Sequence, residues 1–265
     1  MIVMSQLAAF ARRDLLTTTS YRTAVVFDLA WGSIQVFLYF FISRVVGLSP
    51  SSSLGAAPSY FAFALAGILM SLIVSSGASE IASRLRDEQL TGTLELLIAQ
   101  PIRGGALAVA TAGFPFAYAV ARVVLYLGIA VSALNLSTAH TSWIGVAVML
   151  FVAGLAFLGL GIAAAAITLV FKRAAVIDVL IFGMTFVSGA LFPLSVLPSW
   201  LRPVGHVMPT KPAFDGLRAA LFGSGGWGED ALILAAVAAL LLPLAIWAFE
   251  AAISHAKRTG TLAQY

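Results

Sequence analysis

The stretch Trp143–Phe171, WIGVAVMLFVAGLAFLGLGIAAAAITLVF, holds no charged side chain from end to end. An α-helix rises ~1.5 Å per residue, so about 20 apolar residues cross the ~30 Å hydrocarbon core of a bilayer. The run exceeds that length, which implies tilt or a helical extension beyond the lipid. Gly159, Gly161, Ala163 and Ala165 give it the small-residue pattern with which helices pack closely in lipid.

The same pattern recurs on both sides. Lys172 and Arg173 close the run, and Ala174 to Phe192 is apolar again until Pro193. Upstream lie Ala24 to Val46, Tyr60 to Ile81 and Ala106 to Leu134; downstream lies Ala231 to Ala252. The sequence thus predicts an all-α membrane protein with six transmembrane helices. Composition agrees: 10% of residues are charged, against roughly 25% in soluble domains, and mean hydropathy is +1.01.

The net charge of +4 does not point to nucleic acid, because the basic residues sit in short segments between apolar runs. Their distribution sets topology instead. Arg12, Arg13, Arg22, Arg84, Arg86, Arg103, Lys172, Arg173, Lys257 and Arg258 fall on one side; the other holds Arg44, Arg202, Lys211 and Arg218, and its loops 47–59 and 135–142 carry no Lys or Arg. Both termini are therefore expected in the cytoplasm. The first apolar run is too long for a secretory signal, and no cleavage site follows it. There is no cysteine, hence no disulfide or thiol chemistry.

Three stretches outside the spans carry information. In residues 1–23, Val3, Leu7 and Phe10 form an apolar stripe beside Arg12 and Arg13, which predicts an interfacial helix. In residues 84–104, Leu90, Leu94, Leu97 and Ile98 recur at helical spacing among charged residues until Pro101, predicting an amphipathic cytoplasmic helix. Residues 192–229 are apolar yet broken by Pro193, Pro198, Pro203, Pro209 and Pro212. Irregular backbone at membrane depth survives only against protein or a wet cavity, so this segment reads as extracellular and re-entrant. A helix from Phe214 to Phe222, ended by Gly223, closes it.

Catalytic signatures are absent. None of the three lysines, Lys172, Lys211 and Lys257, follows a glycine, so there is no phosphate-cradling GxxxxGK[ST] loop and no ATP hydrolysis by this chain alone. His140, His206 and His255 lack metal-ligand spacing, and no metal or other cofactor is expected in the chain.

Two of these stretches resemble a known family. Asp87-Glu88-Gln89-Leu90-Thr91-Gly92-Thr93-Leu94-Glu95-Leu96-Leu97-Ile98-Ala99-Gln100-Pro101-Ile102 is similar to the inner-loop motif of ABC-2 type (type V) ABC transporter permeases. Gly189, Phe192-Pro193, Leu197-Pro198, Trp200-Leu201, Pro209-Thr210 and Leu217-Arg218 before Gly223 match the outer motif independently. One departure is Arg103-Gly104-Gly105-Ala106, where many relatives carry a lysine.

The resemblance covers essentially the whole chain, as one ABC-2 transmembrane domain over residues 1–265. It implies the permease subunit of an ATP-driven exporter in a plasma membrane, a bacterial cytoplasmic membrane by preference. Two ATP-binding ABC subunits would bind ATP and Mg, and a second permease subunit, a copy or a paralogue, would complete the unit. Residues 84–104 would be the coupling helix, with Arg86, Glu88, Thr91, Gly92, Thr93, Leu94 and Glu95 meeting the ATPase. The cargo expected is hydrophobic or amphipathic: a drug, a lipid or a lipid-linked glycan. The alternative is a secondary transporter driven by an ion gradient, but its midplane ion site is not evident, because Asp28, Glu80, Asp178 and Glu250 fall near span ends.

Within the spans, Gly67, Ser71, Ser75 and Ser79 share one helix face at four-residue intervals. Close packing and a polar strip along the translocation path are both consistent with that spacing. Arg122 lies deep in the third span, where an ionisable group faces protein, water or an anionic partner. It is expected to pair with a span-end acid, or to meet a lipid phosphate or anionic cargo. Thr185 and Ser188 would line the exit, beneath an apolar plug of Phe192, Leu197 and Trp200.

Overall fold

The computed structural model describes residues 12–46, 54–92, 104–171, 175–223 and 225–259. Among these residues every regular element is helical. Residues 12–20 (α1) lead through Tyr21 into α2 (Arg22–Val46), followed by α3 (Tyr60–Ala78), α4 (Glu80–Leu90), α5 (Gly104–Ser132) and α6 (Trp143–Phe171). After α7 (Ala175–Val187) come a 3₁₀ turn (Leu194–Val196), α8 (Arg202–Val207), α9 (Thr210–Phe222) and α10 (Trp227–Thr259).

Five helices among the described residues are long and apolar enough to cross a membrane: Arg22–Val45, Tyr60–Glu88, Thr111–Ser132, Trp143–Thr168 and Trp227–Ser254. The segment expected as a span over 174–192 differs. Its helix is α7, of 13 residues, which is only about 20 Å long. Gly189 takes a left-handed φ of 81°, a conformation that costs glycine no steric strain, and Pro193 follows. The backbone therefore turns inside an apolar stretch that hydropathy reads as continuous.

Of the helix expected over 84–104, residues 84–90 stand on α4, which begins at Glu80, one residue after α3, and ends at Leu90. Gly92 turns the chain with a φ of 73°. Arg86 and Glu88 thus stand on an extension of the second span. Thr93, Leu94 and Glu95, with the rest of residues 93–103, lie outside the described residues. Of the interfacial helix expected over 1–23, residues 12–23 are described, and 12–20 form α1. They continue almost without a break into α2, through Tyr21 N–H to Thr17 O and Val25 N–H to Tyr21 O, each 3.2 Å.

Helix α3 forms the centre, buried along most of its length. It packs on α5, α6 and α9, while α6 makes its most extensive contact with α10. Small residues permit these approaches. A Cβ on Gly161 of α6 would stand 2.0 Å from the carbonyl oxygen of Gly77 in α3, and one on Gly159 would stand 3.2 Å from Leu241 Cγ in α10. By contrast α2 is peripheral, with Val26, Phe27, Trp31, Ile34 and Phe41 exposed.

The bundle has a proline-rich end and a charged end. At the first, α9 is stitched to the start of α6. Ser142 N–H donates to Ala220 O at 2.8 Å and Thr141 Oγ1 to Leu221 O at 2.7 Å. These bonds satisfy carbonyls that a helix C-terminus leaves open. Gly223 ends α9 with a φ of 70°, and its N–H bonds Ala219 O, the left-handed helix stop expected from the sequence. At the other end, α1 meets α4.

Candidate functional site

A groove of about 510 Å³ runs between α2, α3 and α7. Ser71, Ser75 and Ser79 form its floor, while Gln35, Tyr39 and Thr185 add polar groups from the walls. Apolar Ile68, Leu72 and Ile181 lie between them. Its rim residues Trp31, Leu38 and Phe182 are exposed, so the groove opens sideways. The small-residue stripe of the second span therefore divides. Gly67 packs, since a Cβ there would stand 1.8 Å from Ala190 O, whereas the three serines line open space.

Ser71 donates its hydroxyl to Gly67 O at 2.7 Å and Thr185 donates to Ile181 O at 2.8 Å. Bonding back to the own helix satisfies these hydroxyls in an apolar surround. Their remaining lone pairs are acceptors. The groove thus offers an apolar surface carrying sparse polar groups: acceptor oxygens at Ser71 and Thr185, and groups able to donate or accept at Gln35, Tyr39, Ser75 and Ser79.

One short segment walls the groove from a second space. Ala190 and Leu191 line the groove, while Ser188, Gly189 and Pro193 line a cavity of about 550 Å³ at the proline-rich end. Arg218 of α9 holds that wall. Its Nη2 donates to Gly189 O and to Ala190 O at 2.8 Å each, and its Nε to Phe63 O at 3.4 Å. Nη1 bonds Asp215 Oδ1 at 3.2 Å, and the guanidinium lies 3.5 Å from the centroid of the Phe63 ring. Burial lowers its pKa to about 10, against the opposing charge and hydrogen bond of Asp215. It therefore stays charged at neutral pH, next to the C-terminus of α7, where the helix dipole favours a cation. Ser188 Oγ shares a short hydrogen bond with Thr210 Oγ1 and donates to Met184 O at 2.6 Å.

Thr185 and Ser188, expected together at an exit, thus face opposite sides of one wall. The plug expected from Phe192, Leu197 and Trp200 is dispersed within the single chain. Leu197 is buried and Trp200 is 74% exposed. Phe192 makes an edge-on contact with Phe186, with centroids 4.6 Å apart. Arg218 appeared in the sequence only as part of a motif; a cation in an apolar, proline-broken segment was the signal that it needed partners.

Arg122 finds its acid. Its Nη2 lies 3.3 Å from Asp28 Oδ1, and Tyr118 donates its hydroxyl to Asp28 Oδ2 at 2.8 Å. The Tyr118 and Tyr126 rings flank the guanidinium at 5.7 and 5.9 Å. The pair ties α5 to α2 close to where Gly32 admits Tyr126, since a Cβ on Gly32 would collide with the Tyr126 hydroxyl at 1.9 Å.

At the charged end α1 is latched to α4. Arg84 Nη1 donates to Asp14 Oδ2 at 2.5 Å, and Arg13 Nη1 donates to Glu88 Oε1 at 3.0 Å. Asp14, which also meets Arg13 Nε at 3.3 Å, is buried; a basic N-terminal stretch gave no cue to it. Arg86 is half-buried on α4, while Thr91 and Gly92 are exposed where the helix ends. Thr91 Oγ1 donates to Asp87 O at 2.8 Å.

Among the described residues no three His, Asp or Glu side chains gather as a metal site. The sequence profile of a protein family described as ABC-2 type transporter matches residues 87–222, slightly more than half of the chain. The match runs from the end of α4 to the end of α9, and so takes in α7, the wall and Arg218. No curated protein sequence matches the chain.

Proposed function

The chain belongs to the ABC-2 type transporter family, and from that premise we propose that it is the permease of an ATP-driven exporter that moves an amphipathic or hydrophobic cargo. ABC-2 permeases are transport components that work with ATP-binding subunits, and they span the membrane several times. The observation that carries the finer reading is the groove. An apolar groove with a sideways mouth and sparse polar groups suits a molecule that arrives from lipid with a long apolar part.

The topology proposed has six crossings and both termini in the cytoplasm. Helix α7 starts at the end of the bundle where α6 finishes, and the wall that follows it packs against Gly67, seven positions into α3. A rise of about 20 Å along α7 and about 10 Å above Gly67 adds to the ~30 Å of a hydrocarbon core. The charged end then faces the cytoplasm. There two ATPase subunits carrying ATP and Mg would act on Arg86, Glu88 and the turn at Thr91 and Gly92, with a second permease subunit completing the path.

The test is reconstitution. The chain is isolated from its native membrane with any bound ATPase, placed in phospholipid vesicles, and followed for flipping of a fluorescent phospholipid. Flipping that needs ATP and the ATPase supports the proposal. Ion-gradient-driven transport by the chain alone overturns it and favours a secondary transporter.

A further inference from the structure

The cavity beyond the wall is chemically unlike the groove. Arg202, His206, Lys211, Asp215 and Arg218 line it together with Ser195. Three of these are cations and one is an acid, and the acid is already shared. Lys211 forms a close ion pair with Asp215, and Arg218 reaches the other oxygen of the same carboxylate. One carboxylate offsets one charge, so the lining side chains keep a surplus of positive charge even with His206 neutral; Asp230, outside the lining, also interacts with Lys211. Arg202 is fixed by Nε to Leu197 O and Nη2 to Ser195 O, each 2.8 Å, which leaves Nη1 uncommitted among the described residues. Low-dielectric walls strengthen the field of such a cluster. Leu54, Phe63, Pro193 and Leu194 supply an apolar side to the same space.

We propose that this cavity is a binding site for the anionic group, a phosphate or a carboxylate, of an amphiphile. Arg202 and Lys211 contact the anion by charge-assisted hydrogen bonds. Arg218, occupied with the wall, contributes its field from behind. The volume of about 550 Å³ holds more than a bare phosphate and leaves room for the first part of a headgroup or chain against Phe63 and Leu194. Its place at the far side of an export path rests on the transport reading; the binding itself does not.

The experiment titrates the purified full chain, in neutral-lipid nanodiscs, with two probes by calorimetry: inorganic phosphate and dihexanoyl phosphatidic acid. Saturable binding is expected, weakening as salt rises. Lys211→Gln and Arg202→Gln should each weaken it about tenfold, the loss of one charge-assisted bond, while Lys211→Arg keeps it. Binding of both probes assigns the site to the anionic group itself, and binding of the phospholipid alone assigns it to a lipid headgroup. Either supports the proposal. Absence of binding in a chain that still flips lipid with ATP, or equal affinity in wild type and the Gln variants, overturns it. Binding by a chain that transports nothing keeps the site and removes the transport reading instead.

Discussion

A guanidinium carries five N–H groups, and Arg218 directs four contacts at four different residues while it stacks on Phe63. Lysine keeps the charge but not the planar fork. Arg218→Lys is therefore expected to insert normally yet lower the unfolding temperature in detergent. Arg218→Met leaves the Gly189 and Ala190 carbonyls without their donor and should cost at least about 1–3 kcal/mol, the range for one buried group left unsatisfied; unchanged thermal unfolding of both variants would contradict the role. Arg122 and Asp28 permit a cleaner comparison. Removing either charge takes from the other its ion-pair partner, so Arg122→Met and Asp28→Asn should each destabilise. The double variant should be less destabilised than the sum of the two, by about 1–3 kcal/mol of coupling. Additive effects would mean that the two side chains do not depend on each other. The pairing was legible in the sequence as a deep arginine in want of an acid. Which acid it takes was not, because Asp28 lies on another helix 94 positions earlier.

Among the elements, α4 and α1 are joined by ion pairs that the proposed coupling would use. Movement imposed on the turn after Leu90 would reach α1 through Arg84–Asp14 and Arg13–Glu88, and α1 continues into α2, one wall of the groove. The more exposed Arg13–Glu88 pair is worth little by itself, so the prediction rests on the buried carboxylate. Asp14→Arg should lower ATP-dependent lipid flipping about tenfold, a 1.4 kcal/mol effect, at normal insertion, and Arg84→Asp added to it should restore part of the rate. Failure of the second change to rescue would point to misfolding rather than a severed link. The crossing of α3 and α6 is a packing matter. Gly161→Leu should prevent accumulation of folded protein, because backbone rather than a movable side chain occupies the site. That crossing was foreseeable from the small residues of Trp143–Phe171. The shortness of α7 was not, since hydropathy weighs side-chain transfer and is blind to a backbone that turns at Gly189. The end of α4 at Leu90 escaped for a related reason: the apolar spacing from Leu90 to Ile98 runs on past Gly92, whose left-handed φ turns the chain.

For the whole molecule, the arrangement is two compartments in series: an apolar groove open to the side and a cationic cavity at the proline-rich end. Periodicity alone placed the serine row, because four-residue spacing fixes a helix face. Space in front of that face depends on how far α2 stands off, which no local pattern encodes. Thr185→Trp would fill the groove. Flipping of a fluorescent phospholipid should fall to background with folding intact, and retention of the rate would place the path elsewhere.

The wall at Ser188–Leu191 hangs from a cation that belongs to another helix. On the proposed export path, a solute leaving the groove would have to dislodge carbonyls from that cation. An anionic solute carries the replacement acceptor in its own structure, whereas a neutral one leaves the guanidinium bereft in an apolar surround. On that path the barrier would be lower for travellers that bring the matching charge, and closure behind them would need no separate signal, because the carbonyls would reclaim the arginine once the visitor departs.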